Sequence, residues 1–106
     1  MTVQKFRIDQ HHADDEIVLH ISGDLDLAAA IELKAVLETV VHEADKRLIL
    51  DLEGLRYIDS TGIGILVSVV KIRDEAQATF EVRHIPASVK KLFDLTGISG
   101  FLIERK

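Results

Sequence analysis

The feature that most constrains the fold is a short apolar strand followed closely by a long apolar helix. The segment Arg47 to Leu52 is apolar at nearly every position, which is typical of strands covered on both faces of a parallel sheet. The segment Thr61 to Glu75 is apolar nearly all round a helix, which predicts a central, buried helix. This order predicts an α/β layer in which helices pack on a mixed sheet.

The residues that join these two segments combine a carboxylate, a hydroxyl and two glycines. The run is Ile58-Asp59-Ser60-Thr61-Gly62-Ile63-Gly64. Ser60 is a suitable N-cap for a helix that begins at Thr61. The connection therefore places polar groups at a helix N-terminus, where free backbone N–H groups and the helix dipole favour negative charge.

The N-terminal half of the chain predicts two strands and a helix. Val3 to Asp9 and Ile17 to Ser22 alternate or are apolar, and the polar segment from Gln10 to Glu16 predicts a turn between them, as in a hairpin. The segment Gly23-Asp24-Leu25-Asp26 is expected to end the second strand. Asp26 is then a good N-cap for a helix from Leu27 to Ala44, whose apolar residues recur every three or four positions.

The C-terminal part predicts a strand, a helix and a last short strand. Thr79 to Arg83 alternates, and Pro86 suits the first turn of a helix from Ala87 to Leu95. That helix is expected to bury Val89, Leu92, Phe93 and Leu95 and to end at a C-cap, Gly97. Phe101 to Ile103 completes the order β-β-α-β-α-β-α-β, in a single domain over residues 1–106.

Composition argues against several classes of partner. The chain has 106 residues and a net charge of -5, whereas nucleic acids and anionic lipids require a basic face. The first residues lack the apolar core of a signal peptide. The longest apolar run, Ile63 to Val70, is far short of the roughly 20 residues that span a bilayer. We therefore expect a cytoplasmic protein that binds neither nucleic acid nor membrane.

The sequence offers little support for an enzyme. A serine nucleophile needs a general base within reach, and Ile58 stands where a hydrolase elbow would have its first glycine. The histidines lie away from Ser60 in the sequence, and none has a companion at metal-ligand spacing; they are His11, His12, His20, His42 and His84. Val67 occupies the final glycine position of a dinucleotide-binding motif. We predict no catalytic residue, no metal and no cofactor.

Two questions about the connection stay open from the residues alone. Ser60 could be only an N-cap, stabilising the helix by about 1 kcal/mol, or also a phosphoacceptor, because a phosphate is well accommodated at a helix N-terminus. The first interpretation is favoured. Gly62 and Gly64 could permit close packing within the domain, or the approach of another molecule's backbone, or both.

Three segments together resemble the STAS domains of bacterial anti-sigma factor antagonists. The element order also matches over essentially the whole chain. The three segments are Ile58-Asp59-Ser60-Thr61-Gly62-Ile63-Gly64, the acidic turn Gly23-Asp24-Leu25-Asp26, and the helix end Leu92-Phe93-Asp94-Leu95-Thr96-Gly97.

The resemblance implies a regulatory binding protein. Family members bind an anti-sigma factor that is also a serine kinase, which frees the sigma factor. The kinase phosphorylates the motif serine, which here is Ser60, with Thr61 as a second possible acceptor, and a serine phosphatase removes the phosphate. Contacts with the partner are implied for Asp24, Asp26, Asp59, Ser60, Thr61, Gly62 and Gly64. The alternative is a STAS scaffold subunit of a lipid-transport or stress-sensing assembly.

Overall fold

The computed structural model describes residues 6–97 and 103–105, and these residues form one mixed five-stranded sheet with three helices. The strands are β1 (Arg7–His12), β2 (Glu16–Leu25), β3 (Arg47–Ile58), β4 (Phe80–Arg83) and β5 (Ile103–Arg105). The helices are α1 (Leu27–Val40), α2 (Ser60–Glu75) and α3 (Ala87–Thr96). The predicted element order and the mixed α/β architecture are confirmed.

The sheet has its strands in chain order. β1 pairs antiparallel with β2, which confirms the predicted hairpin, and the other neighbouring pairs are parallel. The predicted turn over Gln10 to Glu16 is too long: β1 continues to His12, and the turn is closed by a bond from the Ala13 N–H to the Glu16 carbonyl. Of the first and last predicted strands, residues 3–5 and 101–102 lie outside the described residues.

Strands β2 and β3 are longer than predicted because they pair with each other. The segment from Gly23 to Asp26 was expected to end the second strand, but β2 continues to Leu25, which pairs with Ile58 of β3. The register shifts near Ser22, where the pairing is irregular. A Cβ on Gly54 would come within 2.6 Å of the Ser22 Cβ, so this close approach of the two strands requires glycine.

The expectation that α2 is buried on all sides is wrong. Its buried residues are Gly62, Leu66, Val69 and Arg73, and Val67 is 47% exposed. One face of α2 packs on β3 and α1, as the core cluster and the contacts between these elements show. The opposite face remains open although it carries the apolar side chain of Val67.

The shorter helix α3 is also less buried than its composition suggests. Val89 and Phe93, one turn apart, are buried, whereas Leu92 and Leu95 are exposed, contrary to prediction. The predicted C-cap is confirmed: Gly97 has a φ of 81°, in the left-handed region, and its N–H bonds to the Asp94 carbonyl. Pro86 immediately precedes the first residue of the helix.

A buried arginine joins the end of α2 to the loop that follows α1. Arg73 is 1% exposed, and its guanidinium donates to four backbone carbonyls, those of Val41, Glu43, Lys46 and Thr79. Burial lowers the pKa of Arg73, an effect that nearby Glu43 opposes.

No helix within the described ranges is long and apolar enough to cross a bilayer.

Candidate functional site

The starts of α1 and α2 lie side by side because they follow neighbouring parallel strands. Leu25 and Ile58 are paired at the ends of β2 and β3, and the Asp59 N–H donates to the Leu25 carbonyl at 3.3 Å. Each helix is capped by an aspartate. Asp26 accepts from the Ala29 N–H at 3.0 Å, as predicted, and Asp59 accepts from the Gly62 N–H at 3.1 Å.

The prediction that Ser60 is the N-cap of α2 is wrong. Asp59 has the extended backbone of an N-cap, with φ -103° and ψ -177°, and its carboxylate makes the capping bond. Ser60 is instead the first helical residue, and it is exposed. Its hydroxyl is therefore not needed to cap the helix.

The other predicted polar residues lie at the same edge of the sheet. Asp24 is half-buried in β2, opposite Tyr57, and Asp26 and Thr61 are exposed. Asp59 is half-buried. Three carboxylates therefore belong to the same pair of strand ends as the Ser60 hydroxyl, at the carboxyl edge of parallel strands, where α/β proteins commonly bind ligands.

The two glycines of the motif have different surroundings. A Cβ on Gly62 would come within 2.8 Å of the Ile58 Cγ1 and 3.0 Å of the Leu25 side chain, so Gly62 is required by packing within the chain. A Cβ on Gly64 would meet nothing within 4 Å. Close packing therefore explains Gly62 and leaves Gly64 without a structural requirement.

The exposed face of α2 forms a continuous stripe that begins at Ser60. The stripe consists of Ser60, Gly64, Val67 and Lys71, which recur at the three- and four-residue spacing of one helical face and are all exposed. Because Gly64 has no side chain, the surface of this stripe is recessed one turn after Ser60. We refer to these four residues as the α2 stripe.

A groove between α1 and α2 lies beside the α2 stripe. It has a volume of about 240 Å³ and is lined by Lys34, Leu37, Glu38, Val41, Thr61, Gly64, Ile65, Ser68, Val69 and Ile72. Leu27 and Ile31 share the helical face of Lys34 and Glu38, and they are 62% and 68% exposed. The α1–α2 groove therefore continues into exposed apolar residues near the start of α1.

The geometry around Ser60 does not form a catalytic triad. Asp59 uses its carboxylate to cap α2, and the histidines that contact a carboxylate lie elsewhere. Over residues 6–97, His20 and His84 both contact Asp51, at 3.3 Å and 3.1 Å between Nδ1 and Oδ2. The spacing of the histidines along the chain did not indicate these contacts. These residues come from three separate segments, so only strand pairing brings them together.

Comparison with known proteins establishes the family. The family model described as "Mlab, STAS domain" matches residues 8–104, and the chain belongs to the STAS domain family. A curated relative is the anti-sigma-B factor antagonist of Staphylococcus epidermidis, 27% identical over 89 residues that cover 84% of this chain and 82% of the relative.

Two solved structures show the same fold. An anti-sigma factor antagonist from Mycobacterium paratuberculosis aligns with a TM-score of 0.84 at 21% identity, over 94% of this chain and 85% of that one. The Bacillus cell fate determinant SpoIIAA in its phosphorylated form aligns with a TM-score of 0.73 at 17% identity, over 96% and 92%.

Proposed function

We propose that this protein is an anti-sigma factor antagonist that is switched off by phosphorylation of Ser60. In the unphosphorylated state it binds an anti-sigma factor that is a serine kinase and so releases a sigma factor. A serine phosphatase restores binding. The protein acts as a binding partner and not as an enzyme. The observation that carries this proposal is the position of Ser60, an exposed hydroxyl at a helix start that is already capped by Asp59.

The surface around Ser60 suits a protein partner. The α2 stripe contains Gly64, which the chain's own packing does not require, and exposed Val67. The α1–α2 groove and the exposed side chains of Leu27 and Ile31 adjoin it. Exposed apolar residues beside polar groups are typical of protein-binding surfaces. We assign partner contacts to Asp24, Asp26, Asp59, Ser60, Thr61 and Gly64. Gly62, which is buried against Ile58 and Leu25, supports the start of α2 from within the chain.

The charge around Ser60 explains how a phosphate would end binding. Asp24, Asp26 and Asp59 already make the surface around Ser60 acidic. A phosphate adds about 1.5 to 2 further negative charges. If it is buried against a partner without a matching cation, the cost is several kcal/mol, whereas a switch from 1:99 to 99:1 needs about 5.5 kcal/mol.

The known relatives support the same proposal. The Staphylococcus epidermidis relative is named an anti-sigma-B factor antagonist, and the SpoIIAA structure is of a phosphorylated form. The alternative is a STAS scaffold in a lipid-transport or stress-sensing assembly. We retain this alternative because the matching family model is described as "Mlab, STAS domain".

The proposal is tested by phosphate transfer. The chain is incubated with ATP and each candidate serine kinase of the same genome, and the modified residue is mapped by mass spectrometry. Ser88 is the matched control, because it is also an exposed serine in the first turn of a helix. We expect one kinase to modify wild type and Ser88→Ala but not Ser60→Ala. A Thr61→Ala variant reports whether Thr61 is a second acceptor.

Binding to the same kinase is then measured by calorimetry. Ser60→Ala is expected to bind as wild type does and to stay bound in the presence of ATP, whereas Ser60→Asp and the phosphorylated protein bind weakly. Equal affinity of the phosphorylated and unphosphorylated forms would rule out the switch. Absence of both transfer and binding with every candidate kinase would favour the scaffold alternative.

A further inference from the structure

A second cluster of chemically active side chains lies on the sheet, away from Ser60. Asp51 is in the first half of β3, where it pairs with His20 of β2 on one side and with Arg83 of β4 on the other. His84 follows directly after β4. Ile58 lies seven positions after Asp51 on the same strand, a distance of about 23 Å at 3.3 Å per residue. The cluster is therefore distinct from the surface proposed to bind an anti-sigma factor.

The cluster is built around a carboxylate that is nearly buried. The Asp51 side chain is 9% exposed. His84 Nδ1 lies 3.2 Å from Asp51 Oδ1 and 3.1 Å from Oδ2, and His20 Nδ1 lies 3.3 Å from Oδ2. The Glu53 carboxylate completes the group, with its Oε2 3.8 Å from His84 Nδ1. The Glu53 N–H also donates to Asp51 Oδ1 at 3.0 Å, which fixes the orientation of that carboxylate.

We propose that Asp51, Glu53 and His84 form a binding site for a divalent transition-metal ion of the zinc type. One ligand atom from each of the three residues lies within 4.8 Å of the others. Ligands in a tetrahedral zinc site lie about 3.4 Å apart, because zinc bonds to nitrogen and oxygen are about 2.1 Å long. The separations of 3.1 Å and 3.8 Å from His84 Nδ1 to the two carboxylates bracket this value.

His20 is a positioning residue in this proposal. Its ring contacts Asp51 from the β2 side, so it holds the carboxylate from one side while His84, which follows β4, contacts it from the other. Partners that orient a ligand in this way commonly contribute about 10-fold to 100-fold to metal affinity. The fourth position on the metal is left for water or for an external ligand, as in metal sites with three protein ligands.

The donor set and the local charge select the class of ion. An imidazole nitrogen beside two carboxylates suits zinc, cobalt or nickel better than magnesium, which prefers an all-oxygen shell. Strand pairing places Asp9 next to His20 and Arg83 next to Asp51. Asp9 is itself ion-paired with Arg7 at 3.3 Å. Three carboxylates against two guanidiniums leave the neighbourhood net negative by a single charge, so a dication is electrostatically favoured.

The proposal is tested by titrating untagged, chelator-treated protein with zinc and, separately, with magnesium. We expect one saturable zinc site per chain by calorimetry and much weaker binding of magnesium. Cobalt is expected to give the visible absorption of a tetrahedral nitrogen–oxygen site. His84→Asn and Glu53→Gln are each expected to weaken zinc binding by at least about 10-fold. Asparagine is chosen because His84 has a φ of 54°, a conformation that asparagine tolerates.

Controls separate this site from other histidines. His11→Gln and His12→Gln change exposed histidines of β1 that do not contact Asp51, so zinc affinity is expected to stay within about 2-fold of wild type. His84→Asn and Glu53→Gln change exposed side chains, and circular dichroism checks that they fold. The proposal is overturned if zinc shows no saturable step up to about 1 mM, or if binding is lost in the His11 or His12 variant and kept in His84→Asn.

Discussion

The backbone N–H of Asp59 donates to the carbonyl oxygen of Leu25, and this bond links the start of α2 to the start of α1. Because each helix is capped by the aspartate at its own start, the two caps are held at neighbouring strand ends. Ser60 directly follows the second of these caps and is exposed. The stability of the two capped helix starts and their proposed role in partner binding can therefore be tested separately.

Asp59→Ala removes the acceptor for the Gly62 N–H. We expect the free energy of unfolding to fall by about 1 kcal/mol, as for other lost N-caps. Asp59→Asn keeps a side-chain oxygen at the same place and should lower the free energy of unfolding by only a few tenths of about 1 kcal/mol. Urea denaturation measures both. If the asparagine variant were as unstable as the alanine variant, the carboxylate charge and not the capping bond would be the main contribution.

Substituting alanine for each of the two motif glycines should have opposite effects on stability. Gly62→Ala forces a methyl group against Ile58 and Leu25 and should destabilise the protein by about 1 to 3 kcal/mol. Gly64→Ala meets open space and should stabilise it by up to about 1 kcal/mol, because alanine is the better helix former. Thermal unfolding of the pair checks the prediction, which fails if both variants shift the melting temperature in the same direction.

Arg73→Met should cause a large loss of stability. The change removes the donor to four backbone carbonyls, and buried acceptors left without a partner are costly. We expect a loss of about 3 kcal/mol in chemical denaturation. Lys71→Met, on the exposed side of the same helix, is the matched control and should stay within about 0.5 kcal/mol of wild type. Similar losses in both variants would contradict the structural role of Arg73.

Ile31→Gln should weaken binding to the anti-sigma factor without affecting the fold. Ile31 is 68% exposed, so its replacement should change stability by less than about 0.5 kcal/mol. Loss of a buried anchor at an interface commonly costs more than about 1 kcal/mol of binding. Leu95→Gln is the control, since Leu95 is 76% exposed but lies on α3. Calorimetry that found equal affinities for the two variants would exclude the face of α1 as a contact surface.

The element order was predictable because helix and strand periodicities differ clearly in this chain. The ends of β2 and β3 were not predictable, because the segment from Gly23 to Leu25 has weak strand character of its own. It is extended because β3 pairs with it through Ile58. Local patterns do not contain this tertiary contribution.

The sequence placed the N-cap of α2 one residue too late, at Ser60 instead of Asp59. Asp59 and Ser60 are both good N-caps one residue apart, and the end of the pairing between Leu25 and Ile58 decides in favour of Asp59. The group around Asp51 could not be predicted from spacing. Its members His20 and His84 come from different segments and meet only through strand register.

A single residue, Asp59, separates the last residue of β3 from the first residue of α2. No loop separates β3 from α2 that could rearrange if Ser60 were phosphorylated as proposed. The two states of such a regulator would then share one backbone and differ by one ester bond. The duration of the off state would be set by the lifetime of that bond and the enzymes that cleave it, and slow conformational relaxation would add no delay.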